Sequence, residues 1–125
     1  MLLFLPKIVY KINQVINLST SSMKYYNKEK KMEELDPLLH SQLRLAVMSI
    51  LLSVEEADFV YLKENTKATA GNLSVQIEKL STAGYIATKK DISGTKPRTI
   101  CSMTDHGREA MQKYVEALKS YFAGL

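Results

Sequence analysis

Apolar residues recur at helical spacing over residues 36–53, the first part of the chain with a clear pattern. Asp36 is a candidate N-cap, and Pro37 suits the first position of a helix. The apolar positions of this predicted helix share one face: Leu39, Leu43, Ala46, Val47, Ile50 and Leu51. After an acidic interruption, a short second helix is predicted over 59–65.

The third predicted helix covers residues 70–83 and has two unlike faces. Three residues at i, i+4 and i+7 form an apolar stripe on one side: Leu73, Ile77 and Leu80. Thr69 is a candidate N-cap, and Gly84 suits the left-handed position that follows many helices. The other face carries small and hydrogen-bonding residues, so it is free to bind a partner.

Gly71 lies in the first turn of this helix, and two interpretations of it stay open. A glycine inside a helix costs about 1 kcal/mol relative to alanine. That cost is understandable if the missing side chain lets the helix approach a groove or a neighbouring helix. Alternatively, Thr69 caps the helix and Gly71 is merely a tolerated first-turn residue.

Alternating segments after the third helix predict a β-hairpin. Residues 85–91 form one strand, a turn follows at Ser93 and Gly94, and residues 99–103 return antiparallel. Cys101, the single cysteine, lies in the second strand, where a small buried thiol is expected. The hairpin therefore ends in a polar turn flanked by basic residues.

Thr104 can cap a last helix with a continuous apolar stripe about 27 Å long. The stripe consists of Ala110, Met111, Tyr114, Val115, Leu118, Tyr121 and Phe122. This is long for a terminal helix, so we expect one part to pack on the first helix and another to join two copies of the chain. The predicted dimer interface is Tyr114, Val115, Leu118, Tyr121 and Phe122, with all but Val115 expected to be exposed in a single copy.

The order helix, helix, helix, strand, strand, helix is that of a winged helix-turn-helix. The predicted fold class is mainly α with a β-hairpin wing (α+β), with an added C-terminal dimerisation helix. We assign this domain to residues 35–125. Residues 1–34 are predicted to be an N-terminal leader or extension, and we hypothesise that translation starts at Met23 or Met32, so that most of the leader is not part of the native protein.

Five segments are specific as a set: LRLAVMSIL at 43–51, GNLS at 71–74, LSTAGYI at 80–86, KPRT at 96–99 and MTDHGR at 103–108. With these segments, residues 38–118 resemble the small bacterial and archaeal winged-helix regulators of the MarR and ArsR types. The resemblance implies that the third helix enters the major groove of DNA and that the wing reaches phosphates or the minor groove.

The formal charge of +4 is local rather than general. From position 36 onward, eleven basic residues face ten acidic ones, yet Lys89, Lys90, Lys96 and Arg98 crowd the hairpin, where Asp91 alone opposes them. A patch of this size predicts modest, salt-sensitive DNA binding unless two copies act together. Lysines also serve on exposed strands to discourage edge pairing, and this alternative stays open.

Side chains on the third helix and the wing have the chemistry to contact DNA. The amides of Asn72 and Gln76 can pair with adenine edges, and Lys79 can reach the backbone. Arg98 follows a stiffening proline and suits a narrow minor groove. Val75 suits a thymine methyl group or is simply an exposed valine. The predicted DNA-binding set is Thr69, Gly71, Asn72, Ser74, Val75, Gln76, Lys79, Lys89, Lys96 and Arg98.

These observations predict a sequence-specific, cytoplasmic transcriptional regulator that binds double-stranded DNA as a homodimer. No motif for catalysis, a metal or another cofactor is found, and nothing singles out an effector. No membrane insertion is expected, because the apolar opening stops at Pro6, far short of the about 20 residues that a span needs. The alternative is a winged helix that binds a protein and not DNA.

Overall fold

The computed structural model of the protein describes residues 32–123, so the predictions for residues 1–31 lie outside the described residues. The elements, in chain order, are α1 (Gln42–Ser53), β1 (Ala57–Asp58), α2 (Phe59–Thr66), α3 (Ala70–Thr82), β2 (Ile86–Asp91), β3 (Arg98–Met103) and α4 (Asp105–Ser120). The predicted mainly α fold with a β-hairpin wing is confirmed, and the predicted ends of α2, α3 and both hairpin strands are right to within one residue.

The start predicted for the first helix is wrong. Asp36 closes a separate turn, in which the backbone N–H groups of Leu39 and His40 donate to its carbonyl oxygen at 3.1 and 2.9 Å. The chain then becomes extended at Ser41, whose φ is −151° and whose hydroxyl caps α1. The signals at Asp36 and Pro37 therefore start a turn, and the helix begins one turn later.

The wing contains a strand that the sequence pattern did not predict. β1 pairs antiparallel with β3, with Ala57 opposite Cys101 and Asp58 opposite Ile100. The sheet order is β1-β3-β2. Two residues are too few to show an alternating pattern, so β1 is defined by its partner strand and not by its own sequence.

The core lies between the three helices that precede the wing, the inner face of the sheet and α4. The largest fully buried side chains are those of Leu39, Val47, Met48, Leu51, Leu62, Leu73, Leu80 and Cys101. Burial raises the pKa of the Cys101 thiol to about 11, with a smaller contribution from the Asp58 carboxylate. The expectation of a small buried thiol is confirmed.

The turn after α3 is bonded directly to the start of α4. Gly84 has the left-handed conformation predicted for it, with φ +80°. Its carbonyl oxygen accepts a hydrogen bond from the Thr104 hydroxyl at 2.5 Å, and that hydroxyl also caps α4 by accepting from the Gly107 N–H at 3.0 Å. A Cβ on Gly107 would lie 2.1 Å from the Tyr85 carbonyl oxygen, so only glycine fits at this junction.

The division of the apolar stripe of α4 into buried and exposed residues differs from the prediction. Tyr114 is only 5% exposed, and its hydroxyl lies 3.1 Å from His40 Nδ1. The expectation that Tyr114 is exposed is therefore wrong, because it lies on the same face as the buried Met111 and Ala117. Leu118, also expected to be exposed, is half-buried and packs against the core. Tyr121 and Phe122, just beyond the end of α4, are exposed as expected, at 39% and 57%.

Candidate nucleic-acid interface

The two faces of α3 are arranged as its sequence predicts. Leu73, Ile77 and Leu80 are buried against the core. The opposite side is exposed and carries Asn72, Ser74, Val75 and Lys79. Thr69 accepts a hydrogen bond from the Asn72 N–H at 3.2 Å, so its predicted role as N-cap is confirmed. The turn before α3 includes Lys67, a non-glycine residue with a left-handed φ of 57°.

Gly71 lies on the exposed side of the first turn of α3. A Cβ built on it would have no neighbouring atom within 4 Å. Packing within residues 32–123 therefore does not require glycine here. An approach to a neighbouring helix of the same chain is ruled out among these residues, while close approach to a groove and a tolerated first-turn glycine both stay open.

The half-buried Gln76 uses its side-chain amide within the protein. Its Oε1 accepts a hydrogen bond from Arg44 Nη1 at 2.5 Å, and its Nε2 donates to Asn72 Oδ1 at 3.0 Å. Arg44 Nε also donates to the Leu38 carbonyl oxygen at 2.5 Å. Gln76 therefore connects the exposed Asn72 to α1, in addition to lying on the flank of the face predicted to contact DNA.

The basic residues of the wing are more fully paired than the sequence suggests. Lys89 Nζ lies 2.9 Å from Glu56 Oε2. Arg98 contacts Asp91 Oδ2 at 2.6 Å and Asp58 Oδ2 at 3.3 Å. Two of these three carboxylates come from residues next to or within β1, far from the hairpin in sequence. The positive field of the wing is consequently weaker than that of the isolated hairpin.

Asp58 connects the wing to the helix-turn-helix. Its Oδ1 caps α2 by accepting from the Tyr61 N–H at 2.8 Å, while its Oδ2 faces Arg98. Asp91 also accepts hydrogen bonds from the backbone N–H and hydroxyl of Ser93 at 3.0 and 2.6 Å. The bond from the Ser93 hydroxyl, followed by those from Arg98 and the Ser93 N–H, holds the pKa of the Asp91 carboxyl well below its usual range. The ends of β2 and β3 are thus fixed to each other and to α2.

The remaining wing cations differ in their surroundings. Lys90 Nζ donates to Thr99 Oγ1 across the two strands at 2.8 Å. Lys96 lies in the turn between β2 and β3 and is exposed. Ile92, at the other side of that turn, is 78% exposed. The turn therefore presents the cation of Lys96 and the large apolar side chain of Ile92 to solvent.

The model of the winged helix DNA-binding domain family matches residues 43–122, which is more than half of the chain. The chain belongs to the winged-helix DNA-binding domain family. This is a family of DNA-binding domains and not of enzymes, in agreement with the expectation drawn from the sequence. Within residues 32–123 of this winged helix, no group of His, Cys, Asp and Glu side chains is arranged to hold a metal ion, and no helix has the length and apolarity needed to cross a bilayer.

Relatives of this winged helix occur in archaea. An uncharacterised protein of Methanocaldococcus jannaschii is 33% identical over 78 residues, which are 62% of this chain and 85% of that protein. A structure described as a transcriptional regulator homologue from Pyrococcus horikoshii is 32% identical, with a TM-score of 0.65 over 70% of this chain and 86% of that one. The transcriptional regulator BldR from Sulfolobus solfataricus, 21% identical with a TM-score of 0.57 over 91% and 78% of the two chains, shares the fold.

Three residues of this interface were missed by the sequence analysis: Arg44, Glu56 and Asp58. Arg44 is the one charged residue of α1, and a lone arginine in a largely apolar helix was a usable signal that its side chain has a specific partner. Nothing local indicates that Glu56 and Asp58 face the wing. Their partners are set by the pairing of β1 with β3.

Proposed function

We propose that this winged helix is a sequence-specific transcriptional regulator that binds double-stranded DNA as a homodimer in the cytoplasm, with α3 in the major groove and the wing on the backbone or minor groove. The observation that carries the proposal is the exposed polar face of α3, opposite three buried residues, in a chain of a DNA-binding family. The Pyrococcus horikoshii structure, a transcriptional regulator homologue, supports the regulatory role.

The exposed face of α3 suits a major groove about 12 Å wide. Asn72 and Ser74 offer hydrogen-bonding groups to base edges, and Val75, which is 48% exposed, offers a methyl contact to thymine. Lys79, a turn later, reaches a phosphate and positions the helix without reading sequence. Thr69 and Gly71 lie at the N-terminal end of the helix, where backbone and hydroxyl donors suit phosphate oxygens.

The wing cations bind phosphate by exchanging a carboxylate partner for a phosphate oxygen. Arg98 and Lys89 already face carboxylates, so a phosphate oxygen has to replace Asp91, Asp58 or Glu56 as the partner. Each exchange yields less free energy than binding to an unpaired cation. Lys96 lies in the exposed turn and contacts the backbone most directly. A single wing therefore adds modest affinity, and two copies on one duplex are needed for tight binding.

The proposed dimer contact lies at the end of α4. Tyr121 and Phe122 are exposed, and Val115 and Leu118 are half-buried on the same helix. Tyr114 is excluded from this contact, because it is buried within the single copy. Two copies related by a two-fold axis would present two α3 helices to an inverted repeat.

The test is DNA binding by the purified full-length chain, with selection of preferred duplexes from a random pool and titration across salt concentrations. We expect one enriched sequence and an affinity that falls steeply with salt. Asn72→Ala should weaken the selected site more than random DNA, whereas Lys79→Ala should weaken both equally. Lys113→Ala, an exposed lysine on α4, is the matched control and should change neither. Absence of any enriched sequence, or failure to bind DNA at low salt, would refute the proposal.

A protein-binding winged helix is the second candidate, and the pairing of Lys89 and Arg98 with carboxylates favours it. A wing whose cations are neutralised has less attraction for a polyanion. This candidate predicts that heparin and bulk DNA fail to retain the chain at low salt. Retention that is lost progressively as salt rises supports the DNA-binding function instead.

A further inference from the structure

We propose that Arg44 is a positioning residue that sets the base preference of α3: through Gln76 it turns the Asn72 amide so that the Nδ2 donors face outward. Arg44 lies on α1, outside the recognition helix, and does not itself contact DNA. The inference rests on the proposed function, because it specifies what α3 reads in the major groove.

The first step is the contact between Arg44 and Gln76. A guanidinium has five N–H donors and no acceptor. Its Nε is held by the Leu38 carbonyl oxygen at 2.5 Å, which fixes the plane of the group, and its Nη1 faces Gln76 at 2.5 Å. The atom of Gln76 that faces Arg44 must therefore be the oxygen, and the amide of Gln76 has one allowed orientation.

The second step transfers this orientation to Asn72. With Oε1 held by Arg44, the Nε2 of Gln76 points one turn back along α3 and donates to Asn72 Oδ1 at 3.0 Å. Asn72 is exposed, and its Nδ2 has no hydrogen-bond partner among residues 32–123. An isolated asparagine on a helix surface can present either end of its amide, but this one presents its two donors.

The third step is the consequence for base recognition. Outward donors match acceptors on the major-groove edge, which are O6 and N7 of guanine, O4 of thymine and N7 of adenine. They do not match the N4 amino group of cytosine, which is itself a donor. Pairing with both N6 and N7 of adenine requires Oδ1 as an acceptor, and Gln76 competes for that oxygen. We therefore infer a preference for guanine or thymine over cytosine at the base that Asn72 contacts. The pairing of the Asn72 amide with an adenine edge, expected from the sequence, is disfavoured because it needs the Oδ1 that Gln76 already uses.

Gln76→Glu tests the orientation directly. A glutamate accepts from Arg44 as glutamine does, so the link to α1 is kept, but it cannot donate to Asn72. Asn72 is then expected to turn its Nδ2 toward the introduced carboxylate and its Oδ1 outward, so that donor-bearing bases, cytosine and adenine, are preferred. Selection from a random duplex pool should show the ratio of guanine plus thymine to cytosine plus adenine at that position falling by about fivefold or more.

Two variants of the full-length chain serve as controls. Thr82→Glu places the same negative charge at the far, exposed end of α3 and should lower affinity for all duplexes without changing the base preference. Arg44→Met removes the fixed end of the chain of hydrogen bonds and should flatten the preference between guanine or thymine and cytosine. Circular dichroism confirms that each variant is folded.

A measurement on the free protein separates this inference from the proposed function. In the NMR spectrum, the side-chain amide signals of Asn72 should shift in Gln76→Glu and in Arg44→Met but not in Thr82→Glu. Unshifted Asn72 signals, or an unchanged base preference in Gln76→Glu, overturn the inference while DNA binding itself stands. A chain that binds no duplex at all overturns the proposed function and this inference together.

Discussion

Arg98 and Asp91 are register partners at the turn end of β2 and β3, and Arg98 Nη2 lies 2.6 Å from Asp91 Oδ2. The same guanidinium reaches Asp58 on β1, so a single side chain joins all three strands where the sheet ends and the turn begins. Asp91 raises the pKa of Arg98 further above its already high ordinary value, with a smaller contribution from Asp58. Arg98 thus has a structural role in the wing and is also the cation proposed to contact DNA.

Asp91→Asn should strengthen DNA binding. The substitution removes one negative charge beside the proposed backbone contact and leaves Arg98 freer to exchange Asp58 for a phosphate. We expect a gain of about threefold to tenfold in affinity for any duplex at low salt, and a loss in Arg98→Ala. Fluorescence anisotropy titrations measure both. Glu109→Gln removes an exposed charge from α4 and is the matched control. Equal affinities for Asp91→Asn and Glu109→Gln would show that Arg98 stabilises the wing and does not contact DNA.

Phe122→Asp should convert the protein to a monomer. Phe122 is 57% exposed at the end of α4, and a carboxylate there would have to be desolvated in a contact between two copies. We expect the native chain to sediment as a dimer at micromolar concentration and this variant as a monomer. Ile92→Asp changes an even more exposed apolar residue on the wing and should leave the dimer intact. A native chain that sediments as a monomer contradicts the prediction.

Gly107→Ala should destabilise the fold strongly. The added methyl group would lie 2.1 Å from the Tyr85 carbonyl oxygen, and this backbone atom cannot move without breaking its hydrogen bond with the Thr104 N–H at 3.1 Å. Overpacking of this kind costs about 1–3 kcal/mol. Urea denaturation followed by circular dichroism measures the change in the free energy of unfolding. An unchanged midpoint would mean that α4 does not start as closely against Tyr85 as the structure shows.

Gly71→Ala should leave the fold as stable or more stable and should weaken DNA binding. Glycine costs about 1 kcal/mol in a helix relative to alanine, and no neighbour within the described part of the chain requires it. We therefore expect glycine to be needed at this position for a close approach of α3 to DNA. We expect affinity to fall about tenfold with the urea midpoint unchanged or raised. Unchanged affinity would favour the other interpretation, a tolerated first-turn residue.

Tyr85→Phe should lower stability near neutral pH and lose that effect in alkali. The Tyr85 hydroxyl donates to Asp36 Oδ2 at 2.5 Å, and burial, together with this bond and the charge of Asp36, raises the pKa of Tyr85 to about 12. Because the folded protein favours the neutral phenol, its contribution is fully present below about pH 10 and is lost as the pH rises toward 12. We expect a loss of about 1 kcal/mol at pH 7.

The measurement for Tyr85 is the free energy of unfolding of both proteins at a series of pH values from 7 to about 11.5. The difference between them should shrink above about pH 10. Ultraviolet titration of the native protein should show a tyrosine with a pKa of about 12 that is missing from Tyr85→Phe. A difference that stays constant across this range would mean that the hydroxyl is not bonded to Asp36.

The sequence was informative where structure follows from a repeating pattern within one element. The buried stripe of α3, the left-handed Gly84 and the caps at Thr69 and Thr104 all follow from local spacing and residue type. The start of α1 could not be predicted in this way, because an N-cap residue followed by a proline suits an isolated turn as well as a helix. Tyr114 was misplaced because a long apolar stripe does not reveal which of its members the rest of the chain covers.

The candidate site was predictable in its location and not in its partners. The exposed face of α3 and the basic hairpin were both identified from spacing and charge. Arg98, Lys89 and Gln76 each have a partner distant in sequence, which lies on β1, just before β1 and on α1 respectively, and these contacts exist only because the folded chain brings the segments together. Such contacts leave no period and no motif in a single sequence.

The bonds between Gly84, Thr104 and Gly107 have a mechanical consequence for a dimer. They join Gly84, which follows α3, to the first turn of α4. The helix proposed to bind DNA and the helix proposed to join two copies are therefore expected to move together. A tilt of one α4 helix against its counterpart would swing each α3 by the same angle. The distance between half-sites on an operator would then be dictated at the far end of the molecule, by how Tyr121 and Phe122 pack.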